Sequence, residues 1–271
     1  AYFDSFTLKD IVYKDKFKQV KDTTLYFTVK TNTKPPFPVN YYGGGVKQKP
    51  YELKIKNTQY SSKTNENITV KRTKYHDLKM FANVDSLWTD VDRSYAYKFK
   101  LTNKQKKKKK GLYTYSFLAK DSLSAKRIRV KNILKKGVLF ELKTLEDSLS
   151  TSSKFVDTFY KTFTPIDTLL GRDVFENKVE DYFVALKNKD SIADNAHYQI
   201  NFEEKDVDAI ISMLNTYEFS KDEKYAKGYI VRELSDLKSE KILPFLKQLY
   251  IKSYSEPETQ IDVVKALIAK K

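Results

Sequence analysis

The spacing of apolar residues changes near Pro165 from period two to a helical period. Before Pro165, apolar and polar residues alternate in seven segments: 24–30, 51–56, 68–72, 94–101, 112–118, 126–131 and 137–143. A strand with one buried face has this period, so the segments predict an antiparallel sheet of six or seven strands. The clearest segment is 94–101, whose predicted buried face carries Tyr95, Tyr97, Phe99 and Leu101.

An aromatic helix is predicted to follow the last strand. Residues 148–153 are rich in Ser, which favours a helix N-cap, and Phe155, Phe159 and Phe163 then recur every fourth residue before Pro165. We expect this helix to lie on the sheet and to close the β module.

The second half of the chain has five apolar stripes with helical spacing. The stripes are Val179, Tyr182, Phe183, Leu186; Val207, Ile210, Ile211, Leu214; Tyr225, Tyr229, Ile230, Leu234; Ile242, Phe245, Leu246, Leu249; and Ile261, Val264, Leu267, Ile268. Ser220 and Glu223 are spaced as a capping box, and Pro257 suits a first helical turn. The fold class predicted for the whole chain is therefore α+β with two domains.

The helical half resembles an array of HEAT-type repeats. Helix starts near residues 221, 239 and 257 recur about every 18 residues, so a helix pair recurs about every 36, close to the range of solenoid repeats. The segments 229–237 and 242–246 carry the resemblance, with Asp236 in the turn between two helices. Because the last stripe runs almost to Lys271, we expect the array to be truncated at its C-terminal end.

The start of the chain repeats a pattern found at the end of the predicted β module. Residues 2–10 and 159–167 share two aromatics, a Ser or Thr, Phe, Thr and a final Asp. Chance is one explanation, and a preceding module of the same kind is the other. The predicted domains are 1–23, the tail of such a module; 24–165, the basic β module with its terminal helix; and 166–271, the helical domain.

The distribution of charged residues also changes near Pro165, where the spacing of apolar residues changes. Residues 1–165 hold 35 Lys and Arg against 15 Asp and Glu, whereas residues 166–271 hold 16 against 20. The predicted anion-docking residues are Lys106, Lys107, Lys108, Lys109 and Lys110, which we place at a hairpin tip because Gly111 follows them between two predicted strands. A solvated turn without a ligand is the competing interpretation. Residues 33–50, with four Pro and three consecutive Gly, predict a long loop.

Motifs for catalysis, cofactors and metals are missing from the sequence. It contains no cysteine and no phosphate-binding glycine motif, and His76 and His197 stand outside any metal-ligand spacing. Glu203, Glu204, Asp206 and Asp208 fit a helix N-terminus, with calcium binding as the alternative. We therefore predict no enzymatic activity, no catalytic residue, no cofactor and no metal site.

Nucleic acid is a disfavoured partner despite the basic first half. Aromatic residues alternate with lysines in the predicted strands, so the rings should face the core rather than stack on bases. Lysine also outnumbers arginine 45 to 6, whereas base and phosphate recognition favours arginine. Weak contact with anionic surfaces remains open.

The aromatic pattern at 2–10 and 159–167, followed by helical repeats, resembles the accessory region of large Bacteroidota cell-envelope proteins of the TraB/GumN-like type. The Gly/His signature of that family's catalytic part has no counterpart here, since Gly43, Gly44 and Gly45 have no nearby His. The resemblance implies a non-catalytic interaction or scaffold region, located in the periplasm or cell envelope, with an unidentified protein partner. Electrostatic binding of an anionic polymer is the alternative function. No segment is apolar enough to predict a membrane span.

Overall fold

The computed structural model describes residues 12–36, 49–121 and 123–270, and the chain divides into two compact units. The β unit consists of Ala1–Asp77 and Asn83–Asp173, and the helical unit of Leu78–Ala82 and Val174–Lys271. The N-terminal half contains antiparallel sheets and the C-terminal half is helical, so the predicted α+β class is confirmed.

Two antiparallel sheets and two helices form the described part of the β unit. Its strands are β1 (Lys18–Asp22), β2 (Phe27–Thr31), β3 (Lys54–Ser61), β4 (Asn67–Lys74), β5 (Lys100–Lys109), β6 (Leu112–Lys120), β7 (Lys126–Lys135), β8 (Val138–Asp147) and β9 (Thr164–Pro165), and its helices are α1 (Val84–Ala96) and α2 (Lys154–Thr162). The larger sheet has the order β3-β4-β8-β7-β6-β5, and the smaller one the order β1-β2-β9.

Helix α1 packs on one face of the larger sheet. The Trp88 ring lies 5.4 Å from that of Tyr115, and the Tyr95 ring lies 5.1 Å from that of Phe117. Tyr115 and Phe117 are two residues apart on β6 and therefore point to the same face. Asn83 caps the helix by accepting a hydrogen bond from the Ser86 backbone N–H.

An aromatic core lies on the opposite face of the larger sheet. Side chains of β3, β4 and β8 pack there with those of β2 and α2. The rings of Phe27 and Phe163 stack 4.4 Å apart, and the ring of Phe159 lies 5.1 Å from that of Tyr60. These rings hold the smaller sheet, α2 and the larger sheet together.

Tyr60 also makes a polar contact with the turn between β1 and β2. Its hydroxyl donates a hydrogen bond of 2.7 Å to Asp22 Oδ2, while Asp22 Oδ1 accepts from the backbone N–H groups of Thr24 and Leu25. Burial and the Asp22 carboxylate raise the pKa of the Tyr60 hydroxyl. The buried carboxylate is thus satisfied on both oxygens, as burial of a charge requires.

The strand predicted at 94–101 is wrong. Helix α1 extends to Ala96, Tyr97 is 73% exposed, and β5 begins only at Lys100. Tyr95, Tyr97 and Phe99 alternate as in a strand, but the residues before them have helical spacing. The helix buries Leu87, Trp88 and Tyr95 on one side. The capping pair Asn83 and Ser86 was the sequence signal for this helix.

Other differences concern the ends of the predicted modules. The predicted tail 1–23 includes Lys18–Asp22, which pairs with β2 in this structure. The repeated pattern at 2–10 lies outside the described residues, and so does most of the predicted loop 33–50. The two units divide at Asp173 and Val174, eight residues beyond Pro165.

Five α-helices are described in the helical unit, at the positions of the predicted stripes. They are α3 (Val179–Lys187), α4 (Val207–Thr216), α5 (Lys224–Asp236), α6 (Ile242–Lys252) and α7 (Pro257–Ala269). The predicted capping box of Ser220 and Glu223 and the Pro in the first turn of α7 are both present. Leu78 and Met80 join the core of this unit from a distant part of the sequence.

The apolar stripe predicted for α7 is buried only in part, at Leu267. Ile261 and Ile268 are 55% and 63% exposed, whereas Thr259, Val263 and Ala266 are buried. This buried side packs against α5 and α6. Small side chains suit the close approach of α5 and α7 at Gly228, where an added Cβ would lie 2.2 Å from Asp262 Oδ2. Ile261 and Ile268 therefore face outward.

We expect Phe159→Ala to lower the free energy of unfolding of the β unit by about 3–5 kcal/mol, as truncation of a fully buried aromatic does. Phe159 has no exposed surface and contacts rings of both sheets. Urea denaturation followed by tyrosine and tryptophan fluorescence measures the change. Tyr97→Ala, at an exposed position of the same unit, is the control and should change stability by less than about 0.5 kcal/mol. Equal stability of the two variants would contradict the packing of α2.

The carboxyl group of Glu223 should make the stability of the helical unit depend on pH. Burial opposes its ionisation, but hydrogen bonds from the Ser220 N–H, Tyr217 Oη and Lys189 Nζ outweigh burial and lower the pKa to about 2. A carboxyl group with a lowered pKa stabilises the fold above its unfolded pKa of about 4.3, and this contribution is lost as the pH falls through about 2.

We therefore expect Glu223→Gln to be less stable than the wild type at neutral pH and to lose less stability on acidification below about pH 4.5. Urea denaturation followed by far-UV circular dichroism at several pH values measures both effects. Glu240→Gln, at an exposed position of the same unit, should keep the wild-type pH dependence. If the stability of Glu223→Gln depended on pH as strongly as that of the wild type, Glu223 would not be the cause of the pH dependence.

Candidate functional site

A groove opens on the larger sheet where its cover by α2 and the smaller sheet ends. Its floor is formed by parts of β5, β6 and β7, and its wall by α2 and residues 151–152. The cavity has a volume of about 740 Å³. We call it the α2 groove, and its lining residues are Asn103, Gln105, Lys107, Thr114, Ser116, Phe117, Leu118, Arg127, Arg129, Val130, Lys131, Glu146, Thr151, Ser152, Asp157, Tyr160 and Lys161.

Positive charge predominates in the α2 groove. Five lining residues are cationic, namely Lys107, Arg127, Arg129, Lys131 and Lys161, and two are anionic, namely Glu146 and Asp157. The formal charge of the lining is therefore +3. Arg127, Arg129 and Lys131 point to one face because they alternate along β7 with Ile128 and Val130.

The carboxylates hold the arginines in position. Arg129 Nη1 lies 2.8 Å from Asp157 Oδ1 and 3.4 Å from Glu146 Oε1, and Arg127 Nε lies 3.3 Å from Glu146 Oε2. Ser152 Oγ donates a hydrogen bond of 2.6 Å to Glu146. Burial alone would lower the pKa of Arg129, but Asp157 and Glu146 raise it. The guanidinium groups are thus fixed and charged.

Lys131 is a cation with no carboxylate partner among the described residues. Its Nζ donates a hydrogen bond of 2.6 Å to the backbone oxygen of Tyr160. Burial, with Arg129 and Lys107 nearby, lowers its pKa. The Tyr160 hydroxyl in turn donates to the Arg129 backbone oxygen, and the Arg129 guanidinium lies 4.7 Å from the centre of the Tyr160 ring. An anion in the groove would offset the repulsion among these cations.

The predicted lysine run forms the tip of the β5–β6 hairpin only at its end. Lys106 to Lys109 lie in β5, and only Lys110 lies in the turn, where it and Gly111 have φ values of 49° and 73°. Side chains of a strand alternate between faces, so the run is divided. Lys106 pairs with Asp85 of α1 at 2.6 Å, and Lys108 lies over the Tyr113 ring.

Lys107 lies on the other face and lines the α2 groove. The structure therefore brings one of the five predicted docking residues together with Arg127, Arg129 and Lys131, which the sequence prediction missed. Their signal was present in the sequence as alternating cations along the segment 126–131. Lys161 also belongs to the groove, but it comes from α2, and its proximity depends on tertiary packing.

The remaining candidate residues lie elsewhere. His76 is half-buried with its ring 5.5 Å from that of Tyr51, and His197 is buried in the helical unit. Asp206 forms a capping box with Glu203, Glu204 accepts a hydrogen bond from the Lys238 N–H, and Asp208 pairs with Lys241. Within the described residues, no three His, Asp or Glu side chains form a group that could hold a metal ion.

Searches for relatives found no match, either among protein-family models or among curated protein sequences. The described residues also contain no helix with the length and apolar character needed to cross a membrane.

We expect Glu146→Gln to lower the free energy of unfolding of the β unit by about 1–3 kcal/mol, because it weakens charged hydrogen bonds to two arginines in a mostly buried place. Urea denaturation measures this loss. Asp85→Asn is the matched control, since its ion pair with Lys106 is well exposed and should contribute less than about 1 kcal/mol. If both variants are equally stable, the network around Arg129 does not order the groove.

Proposed function

We propose that this chain is a non-catalytic interaction or scaffold region whose β unit binds an anionic polymer in the α2 groove. The observation that carries the proposal is the uncovered part of the larger sheet, where five cations and two carboxylates line a cavity of about 740 Å³. The resemblance to accessory regions of TraB/GumN-like envelope proteins supports an envelope location as part of the same proposal.

The chemistry of the groove suits carboxylate or sulfate groups. Arg127 and Arg129 offer planar donors that match the two oxygens of such groups, and Lys131 adds a point charge. The existing partners Glu146 and Asp157 fix the arginines but leave the lining with a net charge of +3. A polymer with one negative charge per residue could contact several of these cations along the strands.

An acidic polysaccharide fits the groove better than a nucleic acid. Non-specific binding of single strands relies on exposed aromatic rings that stack on bases. The Tyr160 ring is covered by Arg129, and Tyr115 and Phe117 are buried beneath α1. The groove thus offers charge and hydrogen-bond donors without a stacking surface.

The proposed scaffold role also includes the helical unit. We infer that α5, α6 and α7 are HEAT-like elements, since they begin at Lys224, Ile242 and Pro257 and α7 packs against both others. We also infer that α2 closes the β module, supported by the ring contacts of Phe159. The exposed Ile261 and Ile268 on α7 supply apolar surface for a protein partner.

The groove can be tested with two double variants of equal charge. We expect Lys107→Gln with Lys161→Gln to weaken binding of fluorescent polygalacturonate about tenfold at low salt, because each lost contact with a cation contributes up to about 1 kcal/mol. The control is Lys108→Gln with Lys98→Gln, outside the groove, which should weaken binding less than about twofold. Fluorescence anisotropy at several salt concentrations measures both.

Two outcomes would contradict the proposed function. The first is an equal loss of affinity in the two double variants, which would mean that net charge and not the groove binds the polymer. The second is tighter binding of single-stranded DNA than of polygalacturonate that persists at physiological salt, because this would favour a nucleic-acid partner.

A further inference from the structure

Helix α7 carries an apolar stripe on its outer side. The stripe consists of Ile261, Val264 and Ile268, which are 55%, 39% and 63% exposed. A helix has about 3.6 residues per turn, so these three side chains share one side of α7, opposite to the side that packs against α5 and α6. Single exposed apolar residues are common on protein surfaces, but a continuous row of them along one helix is typical of a contact surface.

The spacing of this stripe is that of a coiled-coil seam. Pro257, Ile261, Val264 and Ile268 follow one another at intervals of four, three and four residues. Helices that pair along one seam repeat apolar residues with this spacing, so that the seam stays turned toward the partner helix. The outer side of α7 therefore has the pattern expected for packing against a second helix.

Opposite charges lie along one flank of the stripe. Glu258 follows Pro257 and Lys265 follows Val264, so the two charged residues are seven residues apart on the same flank. Lys265 is exposed and makes no ion pair among the described residues. Glu258 pairs with Lys224 at 3.0 Å, but both side chains are more than half exposed, which leaves room for a second cation at Glu258.

We propose that the stripe packs against the same stripe of a second copy of this chain, with the two α7 helices antiparallel. This partner is our choice for the apolar surface that the proposed function assigns to α7, and it rests on that part of the proposal. In this arrangement Ile261 lies opposite Val264 of the second copy, and Ile268 lies opposite its Pro257. The two-fold axis forms each of these contacts twice.

The charges favour this partner and this direction. Equivalent flanks face each other in an antiparallel pair, so Glu258 of each copy lies beside Lys265 of the other. A parallel pair would place this flank against the opposite flank, which carries Gln260 and Leu267, and would leave both charges unpaired. Opposite charges on either side of the centre of the stripe make the helix complementary to itself, which a two-fold contact requires and a contact with an unrelated protein does not.

The expected dimer is weak and reversible. Stable interfaces bury about 1,200–2,000 Å² in total, and a contact between two helices of 13 residues each is smaller. The charge of the helical half does not oppose the contact strongly, because residues 166–271 hold 16 Lys and Arg against 20 Asp and Glu. The basic excess of the chain lies in its first half.

Sedimentation equilibrium of the complete chain at physiological salt tests the proposal. We expect a monomer at about 10 µM and a growing share of dimer toward about 1 mM. Ile268→Asp should weaken association about tenfold or more, since it introduces a charge into an apolar layer. Val184→Asp, at a half-exposed position of α3, is the matched control and should change association less than about twofold. A monomer at every concentration, or an equal effect of the two variants, would overturn the proposal.

The same variants separate this proposal from polymer binding by the α2 groove. At about 1 µM, where the wild type should be monomeric, Ile268→Asp should bind polygalacturonate as the wild type does. The double variant Lys107→Gln with Lys161→Gln should dimerise normally. Loss of polymer binding would thus leave the dimer intact, and a chain that never dimerises could still bind the polymer.

A charge exchange tests the antiparallel direction. Lys265→Glu should weaken association about tenfold, because it replaces two attractive pairs by two repulsive ones. Addition of Glu258→Lys to this variant reverses both charges and should restore the affinity to within about threefold of the wild type. Both positions are exposed, and far-UV circular dichroism checks that α7 remains folded. Failure of the second substitution to restore association in a folded chain would rule out the antiparallel contact.

Discussion

The larger sheet of the β unit has more surface than its neighbours cover, and this mismatch produces the α2 groove. One face is packed by α1, whereas on the other face the smaller sheet and α2 cover β3, β4 and β8. The strands β5, β6 and the first part of β7 extend beyond that cover. Because backbone hydrogen bonds within the sheet are satisfied by pairing, these strands can carry polar side chains on an open face. The aromatic core therefore determines where the groove begins.

The alternation of apolar and polar residues predicted strands correctly where the apolar residues are also the buried ones. It located β2, β4 and β6 to β8 because each has one face in a core, but the segment predicted at 51–56 overlaps β3 only at 54–56. It predicted the wrong element at 94–101, because an apolar residue of this segment fits both the period of a strand and that of a helix. Tyr95 satisfies both the strand pattern and the helical stripe with Leu87 and Trp88, and the contacts of Trp88 and Tyr95 with β6 favour the helix. Such tertiary contacts are not visible in a single sequence.

The candidate site was predicted only in part for a related reason. The lysine run is conspicuous in the sequence, but a strand sends neighbouring residues to opposite faces, so five adjacent lysines cannot act together. The cations that do meet come from β5, β7 and α2, more than 50 residues apart between Lys107 and Lys161. The alternation in 126–131 indicated a cationic face of β7. Which part of that face stays open depends on the cover supplied by α2.

Both units retain polar groups in places where burial weakens their contact with water. In the α2 groove, Lys131 is half-buried near two other cations, and its pKa is lowered as a result. In the helical unit, the buried imidazole of His197 has no hydrogen-bond partner among the described residues. Replacement of either side chain by an apolar one of similar size would remove a desolvation cost. Under the proposed function, an anionic polymer that pairs with Lys131 would offset this cost in the α2 groove.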